Sequence, residues 1–139
     1  MPKQTRVVRT RQADDNHQVV TVEGGSAGHC HRPCADCPWR VDAAGVFPAE
    51  AFRLSAPTAY DMAENVFACH QSGTERPRTC AGFLLRGADH NLAVRLARMR
   101  GRISDDVHDG GHALHGSYRE MAIANGVDAE DPVLAECRP

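Results

Sequence analysis

Apolar residues along this chain come in short bursts separated by glycine, proline and charge. The first patterned stretch, His17-Gln18-Val19-Val20-Thr21-Val22, is rich in β-branched residues and predicts a short strand that stops at Gly24-Gly25. Residues 1–16 before it are polar and basic and are read as an arm. Pro48 stands where a first helical turn tolerates proline, and Ala49 to Ser55 predicts a short helix with Phe52 facing inward. Pro57 closes that helix, and Thr58 to Glu64 reads as a second one delivering the chain to Cys69. Thr79 is a candidate N-cap for a helix carrying Cys80, Phe83, Leu84 and Leu85, with Cys80 in its first turn. The best helical period lies in His90 to Arg100, where Leu92, Leu96 and Met99 recur at i, i+4 and i+7 and predict a core-facing stripe beside the solvated Arg95, Arg98 and Arg100. Gly101 ends it. Ser104 to Gly116 is rich in Asp, His and Gly with no period and predicts a loop. Ser117 and Glu120 have capping-box spacing ahead of Met121 and Ile123, Gly126 is a stop, and Asp131-Pro132 starts a last short helix. The expected fold is mostly α, a small α+β domain of short helices with a minor N-terminal strand, occupying residues 17–139 behind the arm at 1–16.

A chain of 139 residues makes one domain, and only 5% of them are aromatic. Such a core is thin, and small domains of this kind recruit disulfides, a metal or a partner. Six cysteines keep the first two options open. The opening stretch MPKQTRVVRTRQADDN has no apolar run of the secretory kind, so the expected location is the cytoplasm, where metal binding outranks disulfides for such a pattern. No stretch approaches the roughly 18 apolar residues of a membrane span. A net charge of -2 excludes a global nucleic-acid footprint. The charge is uneven, however. Lys3, Arg6, Arg9 and Arg11 make the arm basic, and Asp128, Glu130, Asp131 and Glu136 make the C-terminal segment acidic.

The chemistry concentrates in Cys34-x2-Cys37, then Cys69, then Cys80. Four thiolates fill a tetrahedral zinc site or ligate a 4Fe-4S cluster, and these four are the expected metal ligands. A lone C-x2-C pair arises by accident in a six-cysteine chain, so the added weight comes from Cys69 and Cys80. Zinc sites usually pair two close-spaced knuckles, whereas only one pair here is close, and Pro38 after Cys37 echoes the C-P ending of ferredoxin-type motifs. The cluster is therefore placed ahead of zinc. Cys30 and His70 are alternative ligands or neighbours of the ligands. His70 would point away from the site if its segment were extended. Trp39 and Arg40 are expected to cover the site. Cys137, near the end, is not expected to ligate.

At PCADCPWR, FACHQS, TCAGFLL and HNLAVRLA the chain resembles a family of small uncharacterised four-cysteine proteins of actinobacteria and their phages. That resemblance spans about Cys34 to Arg98 and implies that Cys34, Cys37, Cys69 and Cys80 belong together. It implies no activity. A looser similarity is to the WhiB-like iron–sulfur regulators, whose cysteine spacing and glycine-rich turn this chain lacks. The leading functional expectation is a small metal-binding module for transcription regulation, which docks on RNA polymerase, a sigma factor or DNA, with Arg6, Arg9, Arg11, Arg95 and Arg98 as contacts. Tyr118 to Val127 has the spacing of a helix-turn-helix corner, but no basic recognition helix follows it. The alternative is a metal-dependent enzyme that uses Asp105, Asp106, His108, Asp109, His112 and His115. The Gly110-Gly111 pair breaks any helix that would align His108 with His112, and a solvated polar loop is the simpler reading of that stretch.

Overall fold

A computed structural model describes residues 6–23, 28–71 and 77–139. Among them lie a two-stranded antiparallel sheet and four short helices, a mixed α+β arrangement. Strand β1 is Arg6–Gln12 and β2 is Gln18–Glu23, joined by a tight turn in which Asp14 accepts from the Asn16 amide and from His17. The segment expected to be a polar arm therefore carries a strand. Val7, Val8 and Thr10 favour extended backbone, and pairing with β2 supplies the ladder, with a register irregularity between Val7 and Arg9. Arg11 donates to the Leu54 carbonyl at 2.9 Å and pins the hairpin to the helical part. The expected stop at Gly24-Gly25 and the residue Lys3 lie outside the described residues.

Helix α1 is Ala49–Ser55, with Pro48 as its N-cap and Phe52 buried, as its pattern predicts. The second helix expected over Thr58 to Glu64 does not form. Ala56–Ala59 makes a single 3-10 turn, Tyr60 then pairs with Cys137, and Met62 takes a left-handed backbone (φ 64°). Pairing to the C-terminal segment outweighs a helical propensity that is weak over so few residues. Helix α2, Ala81–Arg86, begins one residue later than predicted, with Cys80 itself as the N-cap. Helix α3, Leu92–Met99, is capped by Asn91, whose Oδ1 accepts from the Val94 amide while its Nδ2 holds the Thr58 and Asn65 carbonyls. The predicted stripe of α3 is a correction. Val94 is the buried residue, whereas Leu96 is 38% and Met99 83% exposed, because α3 is held to the body at its N-terminal end.

Helix α4, Tyr118–Ala124, confirms its signals in atomic detail. Ser117 accepts from the Glu120 amide, and the Glu120 carboxylate reaches back to the Gly116 amide, one residue further out than in a standard capping box. At the other end Val127 N–H bonds to Ala122 O and Gly126 N–H to Ile123 O, with Gly126 at φ 102°, the Schellman arrangement. Asp131 caps a closing 3-10 turn, Pro132–Leu134. Among the described residues no helix is long and apolar enough to cross a membrane.

The core is built round Trp39, which is fully buried, with Phe67, Phe83 and Tyr118 at ring-centroid distances of 5.9, 6.2 and 5.8 Å. Helix α2 lies flush on the indole because it presents Gly82 there. A Cβ at position 82 would meet Trp39 Cβ at 2.5 Å. Met121, Leu134, Phe52 and Val94 complete the core. Gly82→Ala is expected to lower the unfolding free energy by about 2–3 kcal/mol through overpacking, seen as a reduced urea midpoint. An unchanged midpoint would show that α2 does not rest on Trp39 in this way.

Candidate metal centre

Three short segments converge on Thr79. It bridges His29 in parallel and Ala68 in antiparallel sense. Cys30 N–H donates to Thr79 O at 2.9 Å, Cys69 N–H to Arg78 O at 2.7 Å and Cys80 N–H to Phe67 O at 2.9 Å. This ladder fixes Cys30, Cys69 and Cys80. The Cys34–Cys37 segment approaches as a pair of tight turns, with Cys37 N–H bonded to Cys34 O and Arg40 N–H to Cys37 O.

The side chains meet in a row. Cys30 lies near enough to Cys69 to interact with it, as Cys69 does to Cys34 and Cys34 to Cys37. Cys37 Sγ lies 3.6 Å from Cys80 Sγ. All six cysteines are free thiols. The fold therefore brings together the four cysteines singled out from the sequence and adds Cys30 at one end of the row. Cys137, buried against Tyr60 and held by Arg119 through its carbonyl, belongs to the core.

Backbone amides are aimed at three of the sulfurs. The amides of Asp36, Trp39 and Gln71 donate to Cys34, Cys37 and Cys69 respectively, each from two residues downstream. Such donors stabilise a thiolate. The thiols oppose one another more strongly. Pairing with Cys37, then burial, pushes the Cys34 thiol up to about 11 against the help of Cys69 and Asp36. At Cys37 the Cys34 thiol lowers the value, but Cys80 and burial override it and push it up to about 12. Cys69 is pushed up by Cys34 and by burial. Cys30 is pushed up to about 11 by burial and then by Cys69. Without a cation, neighbouring thiols and burial favour the protonated form of Cys30, Cys34, Cys37 and Cys69.

The neighbours differ in part from expectation. Trp39 is the hub of the core and carries the Cys37 turn on its own backbone. Arg40 clamps that turn, donating to the carbonyls of Cys34 at 3.3 Å and Ala35 at 2.8 Å while pairing with Asp42. Its charge lies close enough to Cys34 and Cys37 to interact with them. His70 sits in a turn, where its Nδ1 reaches Cys34 Sγ at 3.6 Å instead of pointing away. Among the arginines named as partner contacts, Arg6, Arg9, Arg95 and Arg98 are exposed, Arg98 also donates to Leu84 O, and Arg11 donates to Leu54 O.

The His- and Asp-rich loop is a strap along the cysteine segment. His108 N–H donates to His31 O, Val41 N–H to Ala113 O, and His115 N–H to Trp39 O. Asp106 pairs with His31 at 2.8 Å, and the Ser104 amide donates to His29 Nε2 at 3.2 Å. His108 and Asp109 spend a side-chain acceptor on the Gly110 and Gly111 amides of their own loop. Among the described residues no three His, Cys, Asp or Glu side chains stand in an arrangement that would hold a metal ion as it is. The thiols neighbour one another consecutively, as a row and not as a tetrahedron.

Residues 29–138 match the family model described as a family of unknown function, DUF6283. No curated protein and no solved structure matches the chain.

His115 gives the strap a pH signature. Burial holds its imidazole below the ordinary 6.5, against the pull of Glu120, and its Nε2 is buried with no partner among the described residues. The unfolded chain therefore takes up this proton first. The His115 contribution to stability is complete above pH 6.5 and is lost as pH falls below it. Urea midpoints between about pH 7.5 and about pH 5.5 should fall in the parent protein and fall less in His115→Gln. Parallel curves would show that His115 takes no part.

Proposed function

The chain belongs to the family of unknown function DUF6283, and we propose that it is a small binding module closed around one metal ion held by the thiolates of Cys34, Cys37, Cys69 and Cys80. The observation that carries this reading is the convergence of four thiols from three chain segments, of which Cys34, Cys37 and Cys69 accept backbone amides while their thiol neighbours and burial favour the protonated form. A divalent cation removes that conflict. It replaces the shared protons, and the Asp36, Trp39 and Gln71 amides together with Arg40 spread the excess negative charge of four thiolates.

Scale supports a single ion over a cluster. Metal–sulfur bonds of about 2.3 Å at tetrahedral angles give a thiolate edge of about 3.8 Å, close to the 3.6 Å between Cys37 and Cys80. In a 4Fe-4S cluster each thiolate binds a different iron, and the sulfurs stand further apart. Zinc therefore replaces the cluster as the preferred occupant. Closing the row into a tetrahedron asks for side-chain rotation about turns that are already hydrogen-bonded.

The role assigned to this module is docking in a reducing compartment such as the cytoplasm. Its basic hairpin, with Arg6 and Arg9 exposed on β1, is the surface offered to an acidic partner, with DNA or the transcription machinery as the proposed class. The support for transcription is the looser likeness to WhiB-like regulators. The enzyme alternative draws no observation in its favour, since the side chains of His108 and Asp109 serve their own loop.

Protein purified from cells is expected to carry one zinc per chain and no inorganic sulfide. Cys37→Ser and Cys80→Ser should each lose the metal and unfold at lower urea, because metal binding and folding are coupled. Metal-free protein whose stability ignores a chelator would overturn the reading, and a brown protein with iron and sulfide would restore the cluster. In a DNA shift assay at low salt, the Arg6→Glu, Arg9→Glu pair should abolish a shift that weakens steeply with added salt. No shift and no co-purifying polymerase subunit would remove the docking role.

A further inference from the structure

Helix α3 turns its apolar stripe away from the body. Val94 is buried, and at about 100° per residue Met99 and Leu96 stand roughly 140° and roughly 200° round the helix from it, on the opposite face. Met99 is 83% and Leu96 38% exposed. Arg95 and Arg100, roughly 100° and roughly 240° from Val94, border the stripe on its two sides, and both are exposed. Among the described residues neither has a carboxylate within ion-pair distance. Arg98, on the side towards the core, is engaged already: it donates to Leu84 O at 3.0 Å and lies 3.8 Å from Asp89. The helix is not free to roll the stripe inward. Asn91 fixes its first turn through the Val94 amide and the Thr58 and Asn65 carbonyls, and Arg98 fixes its last. A single exposed apolar side chain is ordinary. Two in line on one helix face, edged by unpaired guanidinium groups, make a patterned surface.

We propose that the outer face of α3 docks an acidic amphipathic helix of a partner protein, with Leu96 and Met99 against its apolar side chains and Arg95 and Arg100 against its carboxylates. The charge pattern selects this occupant. A second copy of the chain would meet the patch through a two-fold contact, which sets the arginine edges of one protomer against those of the other. Nucleic acid phosphates would satisfy the arginines and leave Leu96 and Met99 without a partner. A membrane-surface helix buries a longer face that includes Trp or Phe, and α3 has eight residues with neither. A helix with apolar residues at i, i+3 and i+4 and carboxylates beside them matches both parts of the surface. Methionine suits such a contact, because its unbranched thioether adapts to the shape it meets. The inference uses neither the thiol row nor the β1 hairpin.

The test is fluorescence anisotropy of a fluorescein-labelled peptide of leucine, alanine and glutamate patterned as one amphipathic helix, titrated with the full-length protein. Saturable binding that weakens with added salt is expected, and a scrambled peptide of the same composition should bind about tenfold more weakly. Met99→Glu should weaken binding about tenfold with an unchanged urea midpoint, as its exposure allows. The pair Arg95→Glu, Arg100→Glu reads the same surface through charge alone and should remove the salt dependence, whereas Arg6→Glu, Arg9→Glu should bind as the parent does. No binding, equal binding of the scrambled peptide, or Met99→Glu binding like the parent would each overturn the proposal. So would duplex DNA or anionic vesicles that bind the parent more tightly than the peptide does and lose binding in the Arg95, Arg100 pair. A dimer in sedimentation that Met99→Glu dissolves would give the face to a second copy instead.

Discussion

The packing of Trp39 on the glycine-bearing face of α2 is the contact on which the remaining structure depends. It is made by neighbours in the chain of Cys37 and Cys80. Cys37 is two residues before the indole and Cys80 caps the helix that covers it, so burying Trp39 brings the two sulfurs to 3.6 Å. Core formation and the meeting of these two cysteines are one event here. A large aromatic side chain supplies much apolar area to a chain poor in aromatics, and Cys37, Cys80 and Cys137 are drawn into the same cluster.

Around that contact the cysteine segments have little regular structure of their own. The 29–41 segment owes its path to the Thr79 bridge, to the Arg40 clamp and to the strap through Leu114 and His115. Each of these is a handful of backbone hydrogen bonds with a modest net contribution apiece. A bound ion would tie the same segments at one point, which gives a physical reason for placing four thiols at their meeting place in a domain of this size.

Electrostatics divides the molecule in a similar manner. Thiolates in the row would repel one another and would be compensated locally by amides and by Arg40. Elsewhere the charged residues form pairs at the surface, Arg53 with Glu50 and Asp131 and Arg138 with Asp61, which link α1 and the Tyr60 region to the C-terminal segment. Exposed pairs of this kind stabilise little individually. They serve to hold register between segments that lack helices or strands.

Local signals in the sequence determined the elements whose stability is local. Pro48 and Phe52 marked α1, Ser117, Glu120 and Gly126 marked α4 with both its caps, and Asp131-Pro132 marked the closing turn. Spacing and resemblance singled out Cys34, Cys37, Cys69 and Cys80, which the fold brings near one another. Other features were decided by tertiary contacts that no window along the chain contains. The residues read as an arm became β1 because β2 was there to pair with it, Thr58 to Glu64 lost its helix to the Tyr60–Cys137 bridge, and Leu96 and Met99 stayed exposed because α3 meets the core at its first turn. Cys30 joined the row and His70 reached Cys34 for the same reason. A sequence period reports which face of an element is apolar, but only the packed chain decides which segments arrive beside it.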